Sequence, residues 1–192
     1  GEKSCGWSEG ISCSVCQKVI KQPTVVAPLC QTSQGMTGLQ NMPDGSYSIT
    51  DMGTCQDTHV ILPAMIDGEL VTGLFSYSLY GDIVSVELLD NITHISGHTD
   101  ELHSPFEGLD QLEQIIVSPE NKVFFSQDGI LYSKETGKIL FIPRNLRGDI
   151  VIADTVKGQL EAYFTEQTQV TSITLPSGLT ELSMMQFLGC SN

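Results

Sequence analysis

Two groups of side chains have the types and spacing that chemistry requires. Cys5, Cys13, Cys16 and Cys30 all fall before residue 31. Four thiolates can hold a tetrahedral zinc ion. The same four can close two disulfides in an oxidising compartment. Cys13-Ser14-Val15-Cys16 is a single CxxC, whereas a zinc ribbon uses two close pairs, and the spacing leaves zinc and disulfides both open. Free thiols are the third reading. A redox CxxC needs a helix start near a βαβ pattern, and the sequence shows none. Cys55 and Cys190 stand among apolar residues and read as small buried hydrophobes. The second group is His98, Asp100, Glu101 and His103. Two imidazoles and two carboxylates in one loop could bind a divalent metal. Polar residues are also the default content of a loop. No GxSxG elbow, GxxxxGK[ST] or GxGxxG occurs, so acyl-transfer and nucleotide chemistry lack support.

The elements that position these groups come from an internal repeat. Ile83-Val84-Ser85-Val86-Glu87-Leu88, Leu112-Glu113-Gln114-Ile115-Ile116-Val117 and Val170-Thr171-Ser172-Ile173-Thr174-Leu175 read alike as LxxLxL. Aligned on its last position, the repeat passes through Leu62, Leu88, Val117, Ile152 and Leu175, at separations of 26, 29, 35 and 23 residues by subtraction. The shortest is the basic unit, and the rest carry insertions. These are Met65 to Glu69 around an Asp67-Gly68 turn, a stretch within Gly97–Pro105 that holds the His98–His103 group, and Asn121 to Phe141. In the last, Gly129–Tyr132 and Lys138–Phe141 flank Glu135-Thr136-Gly137 and read as a β-hairpin. Later in each unit a bulky apolar residue precedes a Gly by two places: Leu79 and Gly81, Phe106 and Gly108, Phe187 and Gly189. The fourth unit keeps Val156 and Phe164 but has Leu160 one place late and Glu166 where Gly is expected.

Period-2 alternation makes both apolar stretches of a unit strands. Pro63, Pro143 and Pro176 end them, because Pro cannot donate to a ladder. A fixed register with a period in the twenties predicts a stacked β-solenoid, since one unit cannot bury its apolar side alone. Val86, Leu88, Ile115, Val117, Ile152, Ile173, Leu175 and Phe187 are the expected core. The residues between them should form a presented sheet: His59 and Ile61, Ser85 and Glu87, Gln114 and Ile116, Ser172 and Thr174.

At this point the sequence resembles a known family. The run Gly45–Ile49 through Gly53–Thr58, then Val60–Pro63 and Asp67-Gly68 followed by Val71-Thr72, looks like the opening of BspA-like leucine-rich-repeat proteins. Ser172–Pro176 and Phe187–Asn192 look like their repeat unit, and Asp128–Tyr132 like their hairpin insertion. The likeness covers residues 42–192, leaving residues 1–41 as a Cys-rich segment that resembles short modules preceding such repeats. It implies a bacterial cell-surface or secreted protein, often an adhesin, without catalysis. The expected partners are an extracellular protein or a glycan of a host or neighbouring cell.

Composition sets the remaining bounds. The 192 residues carry 23 acidic and 9 basic side chains, a formal charge of −14. That balance opposes binding to duplex phosphates or anionic lipid. No apolar run approaches the ~18 residues of a transmembrane helix. The sequence thus predicts a leucine-rich-repeat solenoid for recognition or adhesion. The alternatives are a structural spacer within a larger surface protein and, last, a metal-dependent enzyme. The apolar run Ser183–Leu188 lacks a polar cap after it, which predicts end-on self-association or fraying.

Overall fold

The computed structural model describes residues 32–97 and 103–190, together with two short antiparallel strands, β1 (Ile11–Ser12) and β2 (Val19–Lys21). The chain divides into two compact units, Gly1–Gln31 and Thr32–Asn192. Cys5, Cys13, Cys16 and Cys30 lie outside the described residues, as do His98, Asp100 and Glu101.

The second unit opens on an antiparallel strand pair. Strand β3 (Gly38–Asn41) pairs antiparallel with β4 (Tyr47–Asp51), and Ser33 exchanges hydrogen bonds with Ile61. From there the chain winds as a solenoid. Each turn contributes one strand to a front sheet, and several contribute a second strand to the back. In chain order, β5 (His59–Ile61) is a front strand. β6 (Met65–Ile66) and β7 (Glu69–Leu74) form a back hairpin. β8 (Ser85–Leu88) is front and β9 (His94–Ile95) back. β10 (Gln114–Val117) is front. Then come β11 (Phe124–Gln127), β12 (Ile130–Ser133) and β13 (Ile139–Phe141), a three-stranded antiparallel insert. Last are front β14 (Gly148–Val151), back β15 (Gly158–Gln159), front β16 (Val170–Thr174), back β17 (Leu179–Glu181) and one 3-10 turn, Met184–Phe187. Front strands pair parallel as β5-β8-β10 and β14-β16, back strands as β4-β7-β9 and β15-β17. This is the leucine-rich-repeat β-solenoid that the periodicity predicts.

The local chemistry accounts for the turns. Asp67-Gly68 and Asp128-Gly129 both have φ above zero at each residue (52° and 88°, 49° and 81°), the type I′ geometry that matches strand twist. The Asp128-Gly129 turn exposes an element the sequence reading missed, since β11 precedes the expected hairpin and pairs with β12. The Gly after each bulky anchor is left-handed, at φ 93° for Gly81, 84° for Gly108 and 78° for Gly189. Glu166 takes the same conformation at φ 60°. A side chain there costs roughly 1–2 kcal/mol relative to a right-handed residue.

The core lies between the two sheets and is divided. Ile49, Val60, Leu62, Leu74, Val86, Leu88, Ile115 and Leu131 belong to one apolar cluster; Ile130, Tyr132, Ile150, Ile152, Leu160 and Phe164 belong to another. Successive side chains of a strand point to opposite faces. β12 therefore sends Leu131 into the first cluster and Ile130 and Tyr132 into the second, and all four of its residues are buried. The Tyr132 ring stacks on Phe125 at 4.8 Å, and its hydroxyl accepts from the Ala153 N–H at 3.3 Å. Burial pushes that hydroxyl up to about 12.

The expected anchors are buried in the middle of the stack and not at its end. Val86, Leu88, Ile115 and Ile152 are at most 1% exposed and Val117 is 9% exposed. Ile173 and Phe187 are only half-buried, and Leu175 is 38% exposed. The register is right, because Thr174 and Glu181 are exposed. Among the described residues β16 pairs with β14 alone, whereas β8 lies between β5 and β10, and an anchor is covered fully by turns on both sides. Cys55 is buried in the first cluster, while Cys190 is half-buried and its thiol donates to the Phe164 carbonyl at 2.8 Å.

Candidate functional site

Parallel pairing without stagger brings the predicted front residues into rows. His59 stands beside Ser85, and Ser85 beside Gln114; Ile61, Glu87 and Ile116 form the next row. Beyond the insert, Asp149 stands beside Ser172, and Val151 beside Thr174. His59, Gln114, Ile116, Ser172 and Thr174 are exposed, and Ile61 and Glu87 are half-buried. Ser85 departs from expectation at 7% exposure. The His59 ring accounts for this, since its Nδ1 lies 2.8 Å from Ser85 Oγ.

The two halves of the front sheet are joined by a turn instead of by a strand. The Gly129 carbonyl accepts from the Ile115 N–H at 2.9 Å. On the other side, Asp128 Oδ2 accepts from the Val151 N–H at 2.8 Å, and Gln127 Nε2 donates to the Val151 carbonyl at 2.7 Å. Side chains thus replace ladder bonds at the join. A Cβ on Gly129 would stand 3.0 Å from the Gln114 Cβ, so this approach needs glycine for space as well as for its positive φ. Beside the join is a cavity of about 270 Å³ lined by Glu113, Gln114, Asp128, Gly129, Leu146, Arg147, Asp149 and Ile150. An ion pair crosses it, Arg147 Nη2 to Glu113 Oε1 at 2.6 Å.

The face is acidic. Glu87, Glu113, Asp128 and Asp149 stand on it with Arg147. Asp149 Oδ1 accepts from Thr171 Oγ1 at 2.6 Å and from Ser172 Oγ at 2.7 Å. These hydroxyls hold its carboxyl below the usual carboxylate range. A depressed native value contributes stability above the unfolded carboxyl's own pKa, and that contribution is lost as pH falls through the native value. The Asp149 carboxyl should therefore titrate below the ordinary midpoint by NMR. Thr171→Val with Ser172→Ala should raise that midpoint, and an unchanged one would contradict the hydrogen-bond assignment.

Of the insertion group only His103 falls among the described residues. It is exposed, with Nδ1 2.9 Å from Glu107 Oε2 and its ring 5.0 Å from that of Tyr77. His94, on β9, pairs with Gly73 and is half-buried.

One set of residues went unread in the sequence: amides that tie each turn to the one before. Asn91 Nδ2 donates to the Val71 carbonyl at 2.7 Å. Asn121 Nδ2 donates to the carbonyls of Leu89 and Ile92 at 2.8 and 2.7 Å. Gln167 Nε2 donates to the Pro143 carbonyl at 2.9 Å, and Gln186 Nε2 to that of Leu160. Asn121, Gln167 and Gln186 are all buried. Only Asn121 carries a local signal, standing at the offset that Ile66, Ile92, Val156 and Leu179 fill with an apolar residue.

Neither a protein-family model nor a curated protein matches the sequence. Solved structures of bacterial repeat proteins do. A leucine-rich repeat protein from Eubacterium ventriosum is 23% identical at a TM-score of 0.45, over 64% of this chain and 30% of that one. The leucine-rich repeat protein of T. pallidum is 19% identical at 0.40, over 76% and 83%. The pneumococcal vaccine antigen PcpA is 17% identical at 0.36, over 59% and 39%. The fold is a β-solenoid of leucine-rich-repeat type, and the chain spans about a third of the Eubacterium chain. Among the described residues no helix is long and apolar enough to cross a membrane.

Proposed function

We propose that the chain is a non-catalytic recognition module, working at a bacterial surface or in the extracellular space, whose front sheet binds a protein partner. The observation that carries this reading is the pair Ile116 and Val151, 40% and 43% exposed on strands either side of the join. Exposed apolar residues within a polar rim are the composition of a protein-binding patch. The rows of β5-β8-β10 are in register, which suits an extended contact. The acidic rim favours a partner with a basic surface and speeds its encounter.

Photo-crosslinking groups placed at Gln114 and at Ser172, on cells that make the protein, should capture one and the same partner. Ile116→Asp should abolish that product without lowering thermal stability. Capture only from Lys157, outside the front rows, would count against the reading. The spacer alternative has one observation in its favour, the exposed apolar side chains of the last turn, Leu175, Leu182, Met185 and Leu188.

A further inference from the structure

The repeat pattern fails at Glu166, which lines one cavity with the buried Gln167. In the earlier turn, Phe106 is followed by Gly108 and then by Leu109, which is 1% exposed. At the same offsets from Phe164 stand Glu166 and Gln167. Glu166 keeps the left-handed conformation that Gly would adopt without cost. Gln167 takes the core slot of Leu109, is 3% exposed, and has no hydrogen-bond partner for its carboxamide oxygen. An orphaned buried acceptor and a strained backbone are each unfavourable. Rule-breaking residues that gather at one place mark a site held for something other than folding.

The cavity has a volume of about 330 Å³ and is lined by Asp110, Ile142, Arg144, Tyr163, Thr165, Glu166 and Gln167. None of these belongs to the front rows, so the site is separate from the proposed protein-binding face. Tyr163 is 64% exposed, an open aromatic ring at the rim. Arg144 Nη1 lies 3.5 Å from Asp110 Oδ1, and both side chains are largely solvent-facing.

This lining selects a ligand class. The carboxylates of Asp110 and Glu166 ask for donors, which disfavours an anion. Arg144 offers donors and a positive charge, which disfavours a cation. A neutral ring bearing hydroxyls can give to the two carboxylates and accept from Arg144. Its C–H face can lie on Tyr163, as aromatic rings take apolar surface while keeping a polar tip in water. The volume sits near the lower limit for small-ligand sites, about 300 Å³, which suits a single ring. We propose that this cavity binds one neutral pyranose of a glycan.

The test is saturation-transfer NMR on the whole chain with neutral methyl pyranosides of glucose, galactose, mannose and N-acetylglucosamine, and with N-acetyl-lysine amide as the cationic probe. Ring protons of at least one pyranoside should receive saturation. Tyr163→Ala, a change at an exposed side chain, should weaken that sugar by about tenfold. Glu166→Gly should do two opposite things. Relief of the left-handed strain should raise Tm by roughly 2–4 °C, while loss of the carboxylate weakens the sugar. A residue with only a structural role would not separate these readouts. Ser172→Ala, on the front face, should leave the sugar unaffected. The proposal is overturned if no pyranoside receives saturation. It is equally overturned if only the lysine probe binds, if Tyr163→Ala or Glu166→Gly leaves affinity unchanged, or if Ser172→Ala abolishes it.

Discussion

Asn121→Leu is expected to destabilise the repeat unit by about 2 kcal/mol or more, a large fraction of a typical domain's stability. Asn121 is fully buried and uses its whole carboxamide. Its nitrogen donates to Leu89 and Ile92, and its oxygen accepts from the N–H groups of Val123 and Phe124 at 2.9 and 2.8 Å. Leucine is close in size, so the loss is of bonding and not of volume. The Ile92 carbonyl and the Val123 N–H lose the partner they have here, while the Leu89 carbonyl keeps the Ile92 N–H at 3.3 Å; each buried group left unpaired costs about 1–3 kcal/mol. Asn121→Asp should be nearly as damaging, because a carboxylate can accept from Val123 and Phe124 but gives nothing to the two carbonyls. Urea unfolding monitored by circular dichroism reads both. A loss below about 1 kcal/mol for the leucine variant would show that water reaches these groups.

Leu88→Ala should cost about 2–5 kcal/mol, the range for a large-to-small change at a packed site. Leu175→Ala should cost about 1 kcal/mol or less, since a side chain already in water forfeits less on truncation. The two leucines hold the same place in the repeat, but Leu88 is 0% and Leu175 is 38% exposed. The comparison isolates the effect of being stacked on both sides, because residue type and repeat position are held constant. Equal losses would mean that the last turn is covered in solution.

Legibility in the sequence followed periodicity. The front strands, their register and the Gly positions were readable because each rests on a local pattern that recurs: Ser85, Glu87, Gln114 and Ile116 came out in the rows their spacing required. β11 was missed because Phe124-Phe125-Ser126-Gln127 has no partner within the repeat, though Asp128-Gly129 between apolar runs is a strong hairpin signal. Leu175 was misjudged because repeat position alone does not say where a stack ends. The amides at Asn91, Asn121, Gln167 and Gln186 were invisible for a different reason. Each bonds to a carbonyl twenty or more positions earlier, and no window of local sequence contains both partners. The cavity at Gln167 had only a trace, Glu166 in a glycine's place, and the meaning of that exception lay in φ.

The β11–β13 insert separates two stacks that share no backbone ladder across the front, and this gives the array a joint. In an unbroken solenoid every turn inherits its angular phase from the last, because the ladder fixes strand spacing and twist. Here the phase is handed over through Gly129, Asp128 and Gln127 and through the Asn145 N–H, which donates to the Leu112 carbonyl at 2.9 Å, contacts outside any strand ladder across the front. Turns before and after the insert are free to differ in pitch and in length. A lineage could therefore lengthen or exchange either stack by recombination at the insert while the other keeps its winding.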